Sequence, residues 1–380
     1  MTLKKIALAG SIATLVFAAG AANASHFRGG AVVPAVNANG LVTFSSTTFW
    51  RPGVDPFPVA GTTVEGIRTF GGTNYTVLNR TLDTSDSRFT RVSETFTYQL
   101  TNAGSYDFKW ASCCRVGGIA NAGGGNDLDS TIVWDGQTAN APILFDFGAI
   151  NPEVLRGQAY SDDLGAVSGS SLTLSYNQNL NRGISAQPVG SFSVNPSTGE
   201  LTISASDTGT NMTNDNARNI GADYAFSGNI SASDGSKVEF DWLFDAVDSG
   251  SENLAPNVSN MVVNALVGDE IDVTVVGTDP DGDTLTWDLL SLFGPGDTSA
   301  FSFDPLTQNI LWDTTGVMTG AYIANVRASD GSLTDVGTVT INLSAPNGGP
   351  PPTVEVPEPG TLGLLGLGLA GLGWARRRKQ

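Results

Sequence analysis

The stretch EIDVTVVGTDPDGDTLTWDLL, residues 270–290, decides the fold class. Ile271, Val273 and Val275 alternate with polar residues, a turn of Asp, Pro and Gly follows, and the alternation resumes at Trp287. Because successive side chains of a strand point to opposite faces, this pattern predicts two strands that each bury one face. Similar short segments, separated by turn residues, continue along the chain. We therefore expect an all-β protein built of tandem β-sandwich domains.

An internal repeat occupies the second half of the chain. FSVNPSTGELTI begins at Phe192 and FSFDPLTQNILW begins at Phe301, 109 residues later. ASDGS occurs at 232–236 and again at 328–332, only 96 residues later. The difference lies in the first copy, which carries the polar insertion TGTNMTNDNARN. The predicted copies, named here the first repeat and the second repeat, cover residues 151–250 and 254–345.

The N-terminal domain, predicted at 25–145, is β-rich but does not share the repeat. Apolar residues alternate around Phe96, NAGS at 102–105 turns the chain, and the alternation resumes around Phe108. This pattern predicts a β-hairpin with one buried face.

Cys113 and Cys114 are adjacent and are the two cysteines of the chain. An oxidising compartment favours their pairing. Adjacent Cα atoms lie about 3.8 Å apart, however, below the usual disulfide separation of about 4.4–6.8 Å. A strained vicinal disulfide and two reduced, partly buried thiols both remain open. A thioredoxin-like function would require the Cys-x-x-Cys spacing, which is missing here.

A single histidine, His26, limits the enzyme classes that the sequence supports. A Ser-His-Asp triad would have to use it, and a zinc hydrolase normally needs two or three histidines. We therefore expect no catalytic residues and a protein that is not an enzyme. The alternative is a carbohydrate-binding protein or glycan-active enzyme with its site in the N-terminal domain, where Trp50, Trp110 or Trp134 would stack on sugar rings.

Residues 1–24 have the features of a secretory signal peptide. Lys4 and Lys5 precede an apolar stretch, and Ala22-Asn23-Ala24 matches a small-x-small cleavage site. Without the bases of the two terminal segments, 13 basic residues face 37 acidic residues. Such an acidic surface repels nucleic acid and anionic membranes, and it favours divalent cations.

The last 25 residues combine three features in a fixed order. An extended Pro-Glu-Pro segment comes first, then an apolar run of 14 residues at 362–375, then a block of bases. As a helix the apolar run would span about 21 Å, less than the roughly 30 Å of a hydrocarbon core. The bases favour the cytoplasmic side. The residues of the motif are Val356, Pro357, Glu358, Pro359, Arg376, Arg377 and Arg378.

This order resembles the PEP-CTERM sorting domain of Gram-negative bacteria. The resemblance covers the predicted tail at 356–380, which follows a Pro/Gly linker at 346–355. It implies recognition by an exosortase, a membrane protease-transferase, in bacteria that make an extracellular polysaccharide matrix. It also implies transient membrane association through a short C-terminal helix. A plain C-terminal membrane anchor is the alternative.

The second repeat resembles bacterial cadherin-like and immunoglobulin-like domains. Four segments carry the resemblance: NLAPN at 253–257, DPDGD at 279–283, FSFDPLTQNILW at 301–312 and ASDGS at 328–332. The first repeat shares the last two segments but has YSDDLG in place of the alternating acids.

The DPDGD turn is the candidate metal site. Asp279, Asp281 and Asp283 alternate, and oxygen ligands of high charge suit Ca²⁺. Three unpaired carboxylates would repel one another, so a cation would relieve that repulsion. The resemblance to cadherin-like domains adds Asp330, and less surely Glu252 and Asn253, at a domain junction. The alternative is a solvated Asp/Gly turn without metal.

These observations predict an exported structural or adhesive protein of the cell surface or extracellular matrix. Its expected partners are exosortase and an extracellular polysaccharide or another surface protein, with no nucleic acid. Calcium would fix the approach to the second repeat and keep that repeat extended from the rest of the chain.

Overall fold

The computed structural model of the protein covers most of the chain between the two predicted signals. The signal peptide, His26, the linker from 347 onward and the sorting tail lie outside the described residues. The described residues are 27–53, 67–69, 76–113, 115–123, 125–150, 152–180, 183–213, 222–248, 250 and 253–346.

The N-terminal domain contributes seven strands, in which β-branched and aromatic residues alternate with polar ones. They are β1 (Phe27–Val36), β2 (Leu41–Trp50), β3 (Ile67–Thr69), β4 (Thr76–Asp83), β5 (Thr90–Gln99), β6 (Gly104–Cys113) and β7 (Gly125–Trp134).

A short 3₁₀ helix, Phe147–Ala149, leads into the first repeat, where helix α1 (Ala205–Thr210) is capped by Ser204. The strands of this repeat are β8 (Glu153–Leu155), β9 (Tyr160–Asp163), β10 (Leu174–Asn179), β11 (Ser193–Val194), β12 (Glu200–Ile203), β13 (Tyr224–Ala232) and β14 (Lys237–Val247).

The second repeat has no helix among its described residues. Its strands are β15 (Asn257–Val258), β16 (Met261–Leu266), β17 (Glu270–Thr274), β18 (Gly277–Thr278), β19 (Thr286–Phe293), β20 (Phe301–Asp304), β21 (Asn309–Asp313), β22 (Gly320–Ser329) and β23 (Thr334–Ser344). The prediction of an all-β fold is confirmed.

The internal repeat is visible in the strand pairing. In the first repeat, β14, β13 and β10 are neighbours and β8 runs parallel to β14; in the second, β23, β22 and β19 are neighbours and β16 runs parallel to β23. The smaller sheets also correspond, in the orders β11-β12-β9 and β20-β21-β17. Even the register is kept, since Ser193 faces Thr202 and Ser302 faces Leu311. Two sheets around one apolar core make the second repeat a β-sandwich.

The N-terminal domain and the first repeat share one sheet of eleven strands. Strand β14 pairs with β1, where Gly29 faces Trp242, and also with β7. One core cluster likewise takes residues from both segments, among them Phe49, Phe147 and Trp242. The predicted boundary between 145 and 151 therefore falls between strands of a single sheet.

The predicted hairpin of β5 and β6 is wrong. Strand β5 pairs with β2 and β4, and β6 pairs with β3 and β7. The sheet curls, so that Tyr98 and Phe108 meet across the core with ring centroids 5.8 Å apart. Alternation correctly indicated the buried faces, but it carries no information about which strands pair.

The second repeat packs against the N-terminal domain, so the expectation of an extended arrangement is also wrong. Arg327 on β22 forms ion pairs with Asp83 and Asp288. The amide of Ser87 donates to the carbonyl of Ser332 at 2.8 Å. These contacts fold the second repeat back onto the start of the chain.

Candidate functional site

The DPDGD turn connects β18 to β19 and is closed by its own first carboxylate. Asp279 Oδ1 accepts hydrogen bonds from the amides of Asp281 at 2.8 Å and Asp283 at 3.1 Å. Gly282 adopts φ +83°, a conformation that favours glycine. The alternating acids thus form a tight turn in which Asp279 takes the capping role typical of turn aspartates.

Two acidic turns bind the segment that enters the second repeat. Asp281 Oδ2 accepts a hydrogen bond from the amide of Leu254 at 2.6 Å. Asp330, in the ASDGS turn, accepts one from the side-chain amide of Asn253 at 2.8 Å. Glu252 lies outside the described residues. Asp281, Asp330 and Asn253 therefore lie at the same connection between the repeats.

The fit of these residues to a metal ion is partial. Asp279 Oδ2 is buried and accepts no hydrogen bond, which leaves an oxygen that a cation would satisfy. Within the described part of the chain, however, no three His, Cys, Asp or Glu side chains are grouped closely enough to hold a metal ion. Calcium binding therefore stays a prediction.

A buried ionic cluster lies close to the same connection. It consists of Asp86, Arg88, Glu153 and Asp335, and we name it the junction cluster. Arg88 Nη2 lies 2.7 Å from Asp86 Oδ2, and Arg88 Nη1 lies 3.5 Å from Glu153 Oε1. Asp335 Oδ2 accepts a hydrogen bond from the amide of Val258 at 2.7 Å. The N-terminal domain and both repeats each contribute to this cluster.

The electrostatics of the junction cluster follow from burial. Burial raises the pKa of Asp335 to about 6, although the Val258 amide and the Arg88 guanidinium oppose the shift. Burial alone would lower the pKa of Arg88, but the carboxylates of Asp86 and Glu153 raise it above its usual value. Arg88 therefore keeps its charge.

A groove of about 540 Å³ opens between the two repeats, beside the junction cluster. Its described lining includes five acidic residues and no basic residue. Tyr160 also lines it, and the acids are Glu153, Asp162, Asp163, Glu200 and Asp335. The groove is thus strongly negative.

The three tryptophans proposed as sugar-stacking platforms lie in the core. Trp50, Trp110 and Trp134 are 4%, 2% and 6% exposed. Trp50 and Trp110 pack around Phe27 with ring centroids 5.5 and 5.6 Å away. The stacking interpretation is therefore wrong, because a buried ring offers no face to a ligand.

Cys113 is the last residue of β6, where its backbone faces Gly125. Its side chain and the whole of Cys114 lie outside the described residues. The vicinal disulfide stays a prediction.

The junction cluster was missed by sequence reasoning. Asp86 and Arg88 precede β5, Glu153 lies in β8, and Asp335 lies in β23. Each is an isolated charge among polar residues, with no spacing that relates it to the others. No local signal identifies such a cluster, since long-range packing alone brings its members together.

Together, the described strands and the C-terminal tail define a class: a β-sandwich repeat protein that carries a sorting motif. Residues 355–379 match the family described as the PEP-CTERM protein-sorting motif. The predicted motif is confirmed at this end of the chain. No curated protein sequence matches the chain.

Solved structures with similar folds are immunoglobulin-like, cadherin and related domains. The Ig1-2 module of the Drosophila receptor tyrosine phosphatase DLAR is 13% identical, with a TM-score of 0.22, and the match covers 54% of this chain and all of that one. EC22–24 of mouse cadherin-23 is 15% identical with a TM-score of 0.19, over 77% and 94% of the two chains. The PKD domain of human KIAA0319 is 18% identical with a TM-score of 0.20, over 28% and 97%. The fold assignment itself rests on the strand pairing of this chain.

Within the described residues, the model contains no helix of the length and apolar character needed to cross a membrane. The predicted C-terminal helix lies outside them.

Proposed function

We propose that the protein is exported to the outer surface or the extracellular matrix of a Gram-negative bacterium, where it has a structural or adhesive role and is not an enzyme. The match of residues 355–379 to a protein-sorting motif carries this proposal. The motif implies recognition by an exosortase. The partner on arrival is an extracellular polysaccharide or another surface protein.

The described scaffold supports a structural role. The second repeat directly precedes the linker and tail, and buried polar contacts attach it to the N-terminal domain. Ser291 and Asn325 donate to Asp146 at 2.9 and 3.2 Å, and Arg91 forms an ion pair with the same carboxylate at 2.8 Å. Anchoring at the tail would therefore hold the whole β scaffold near the membrane or matrix as one closed unit.

Calcium binding at the connection between the repeats is part of the proposal. Asp279 would supply its buried, unbonded Oδ2, and Asp281 and Asp330 would supply further carboxylate oxygens from the two turns beside Asn253. Such hard oxygen ligands suit Ca²⁺. The bound ion would neutralise these acids and stiffen the connection.

The sorting proposal is tested in the producing bacterium by changing Pro357, Glu358 and Pro359 together to Ala. We expect the wild-type protein to reach the surface or medium with its tail removed, and the variant to stay in the membrane fraction at its unprocessed mass. Thr353→Ala, just outside the motif, is the matched control and should be sorted normally. Equal sorting of the triple variant and the wild type would overturn the proposal.

A further inference from the structure

The junction cluster holds more buried acid than buried base. Asp86, Glu153 and Asp335 are 4%, 7% and 8% exposed, and Arg88 is 1% exposed. Three carboxyl groups thus share one guanidinium in a region with little access to water. Burial of such an excess of negative charge is costly unless a proton or another cation neutralises part of it.

Asp335 is the least compensated of the three acids. Arg88 lies closest to Asp86, at 2.7 Å, and next to Glu153, at 3.5 Å. Asp335 also interacts with the charge of Arg88, but its direct hydrogen bonds come from the neutral amides of Val258 and Val336.

The other elements packed around Asp335 do not supply a second positive charge among the described residues. The segment before β5 presents Asp86 and Arg88, β8 presents Glu153, and β9 presents Tyr160, which interacts with both Asp162 and Asp335. Like charges and burial therefore both favour the neutral, protonated form of Asp335.

We propose that the junction is a pH-sensitive contact, in which proton uptake by Asp335 strengthens the attachment of the second repeat to the rest of the protein as the surroundings become mildly acidic. The Val258 amide can still donate to Asp335 Oδ2 after the other oxygen is protonated. Protonation thus removes the buried charge and keeps the hydrogen bond.

The direction of the effect follows from proton linkage. In the closed state the pKa of Asp335 is raised to about 6, and separation of the repeat would return the group to water, where its pKa is about 3.8. The closed state is favoured fully below the lower value, and this advantage is lost as pH rises through the higher one. With these two values, the closing equilibrium increases about tenfold from pH 7.5 to pH 5.0.

Amide hydrogen exchange in the purified full chain tests the proposal. The amides of Ser87 and Thr334 both donate across the junction, to Ser332 and Asp86. We expect their protection factors, corrected for the intrinsic pH dependence of exchange, to be about tenfold higher at pH 5.0 than at pH 7.5. A flat or falling protection would overturn the proposal.

Two variants sharpen the test. Asp335→Asn should lose the pH dependence, because an amide has no proton to gain in this range. Asp304→Asn, in an exposed turn of the same repeat, should behave as the wild type does. Retention of the rise in Asp335→Asn would contradict the assignment to Asp335.

A measurement without substitution covers the case in which Asp335→Asn does not fold. The ¹³C carboxyl signal of Asp335 in the wild-type protein should titrate with a midpoint near 6. A midpoint near the ordinary value of about 4 would overturn the proposal, whatever the variants do.

Discussion

The carboxylate of Asp86 accepts hydrogen bonds from both the amide and the hydroxyl of Thr334, each at 2.8 Å, across 248 residues of sequence. Both residues are 4% exposed. Arg88 donates to the carbonyl of Thr334 and so completes the set. A buried carboxylate left without its donors is strongly destabilising, so this contact specifies where the second repeat lies on the N-terminal domain.

Thr334→Val should destabilise the protein, because it keeps the shape of the side chain and removes the hydroxyl that donates to Asp86. We expect the free energy of unfolding to fall by about 1–2 kcal/mol, measured by urea denaturation. Thr340→Val, elsewhere on β23, is the matched control for the loss of a threonine hydroxyl. Equal effects of the two substitutions would show that the bond to Asp86 contributes nothing.

Asp146→Asn should show a pH-dependent loss of stability. Burial alone would raise the pKa of Asp146, but Arg91, the Gly148 amide and the Ser291 hydroxyl lower it below the ordinary value of 3.8. The charged form therefore stabilises the fold above about pH 4, and this stabilisation is lost as pH falls below that value. We expect a loss of about 2–4 kcal/mol at pH 7 and a smaller difference from wild type at pH 3.5, measured by thermal unfolding.

The control for this experiment is Asp248→Asn. Asp248 pairs with Arg156 at 2.8 Å, but its side chain is 51% exposed, and such pairs contribute about 0–1 kcal/mol. If Asp146→Asn were no more destabilising than Asp248→Asn at pH 7, the buried contact would be unimportant for stability.

Calcium should raise the unfolding temperature of the wild-type chain after treatment with a chelator. A ligand at a hundredfold excess over its dissociation constant stabilises the folded state by about 2.7 kcal/mol. Asp279→Asn should abolish the response, since it removes the charge while leaving an oxygen to accept the amides of Asp281 and Asp283. Asp304→Asn should respond as the wild type does. Absence of any shift in the wild type would leave DPDGD as a turn without metal.

Gly199 and Gln308 occupy the same position in the two repeats and predict opposite responses to exchange. Both adopt positive φ, +82° and +57°. Gln308→Gly should raise the free energy of unfolding by about 0.5–1 kcal/mol, because glycine adopts this conformation without strain. Gly199→Gln should lower it by more than that, since a Cβ there would lie 2.8 Å from the ring of Tyr176. Equal signs in chemical denaturation would show that the two turns are not equivalent.

Several features of this protein could be predicted from short segments of sequence. The alternation around Ile271 and Val273 indicated strands, and the segments beginning at Phe192 and Phe301 indicated the repeat with its register. The sorting motif at 355–379 was readable because an enzyme must recognise it as a linear segment. These features depend on the twofold period of strands, on turn chemistry and on residue order, which are all local.

Only the tertiary structure decided which strands pair and which charges meet. The residues around Phe96 and Phe108 indicated buried faces, but β5 and β6 joined different neighbours across a curled sheet. The junction cluster joins Asp86, Arg88, Glu153 and Asp335 from distant segments, and it places the second repeat against the N-terminal domain. Hydrogen bonding between strands and the satisfaction of buried charge depend on the whole packed chain, so no single segment of the sequence specifies them.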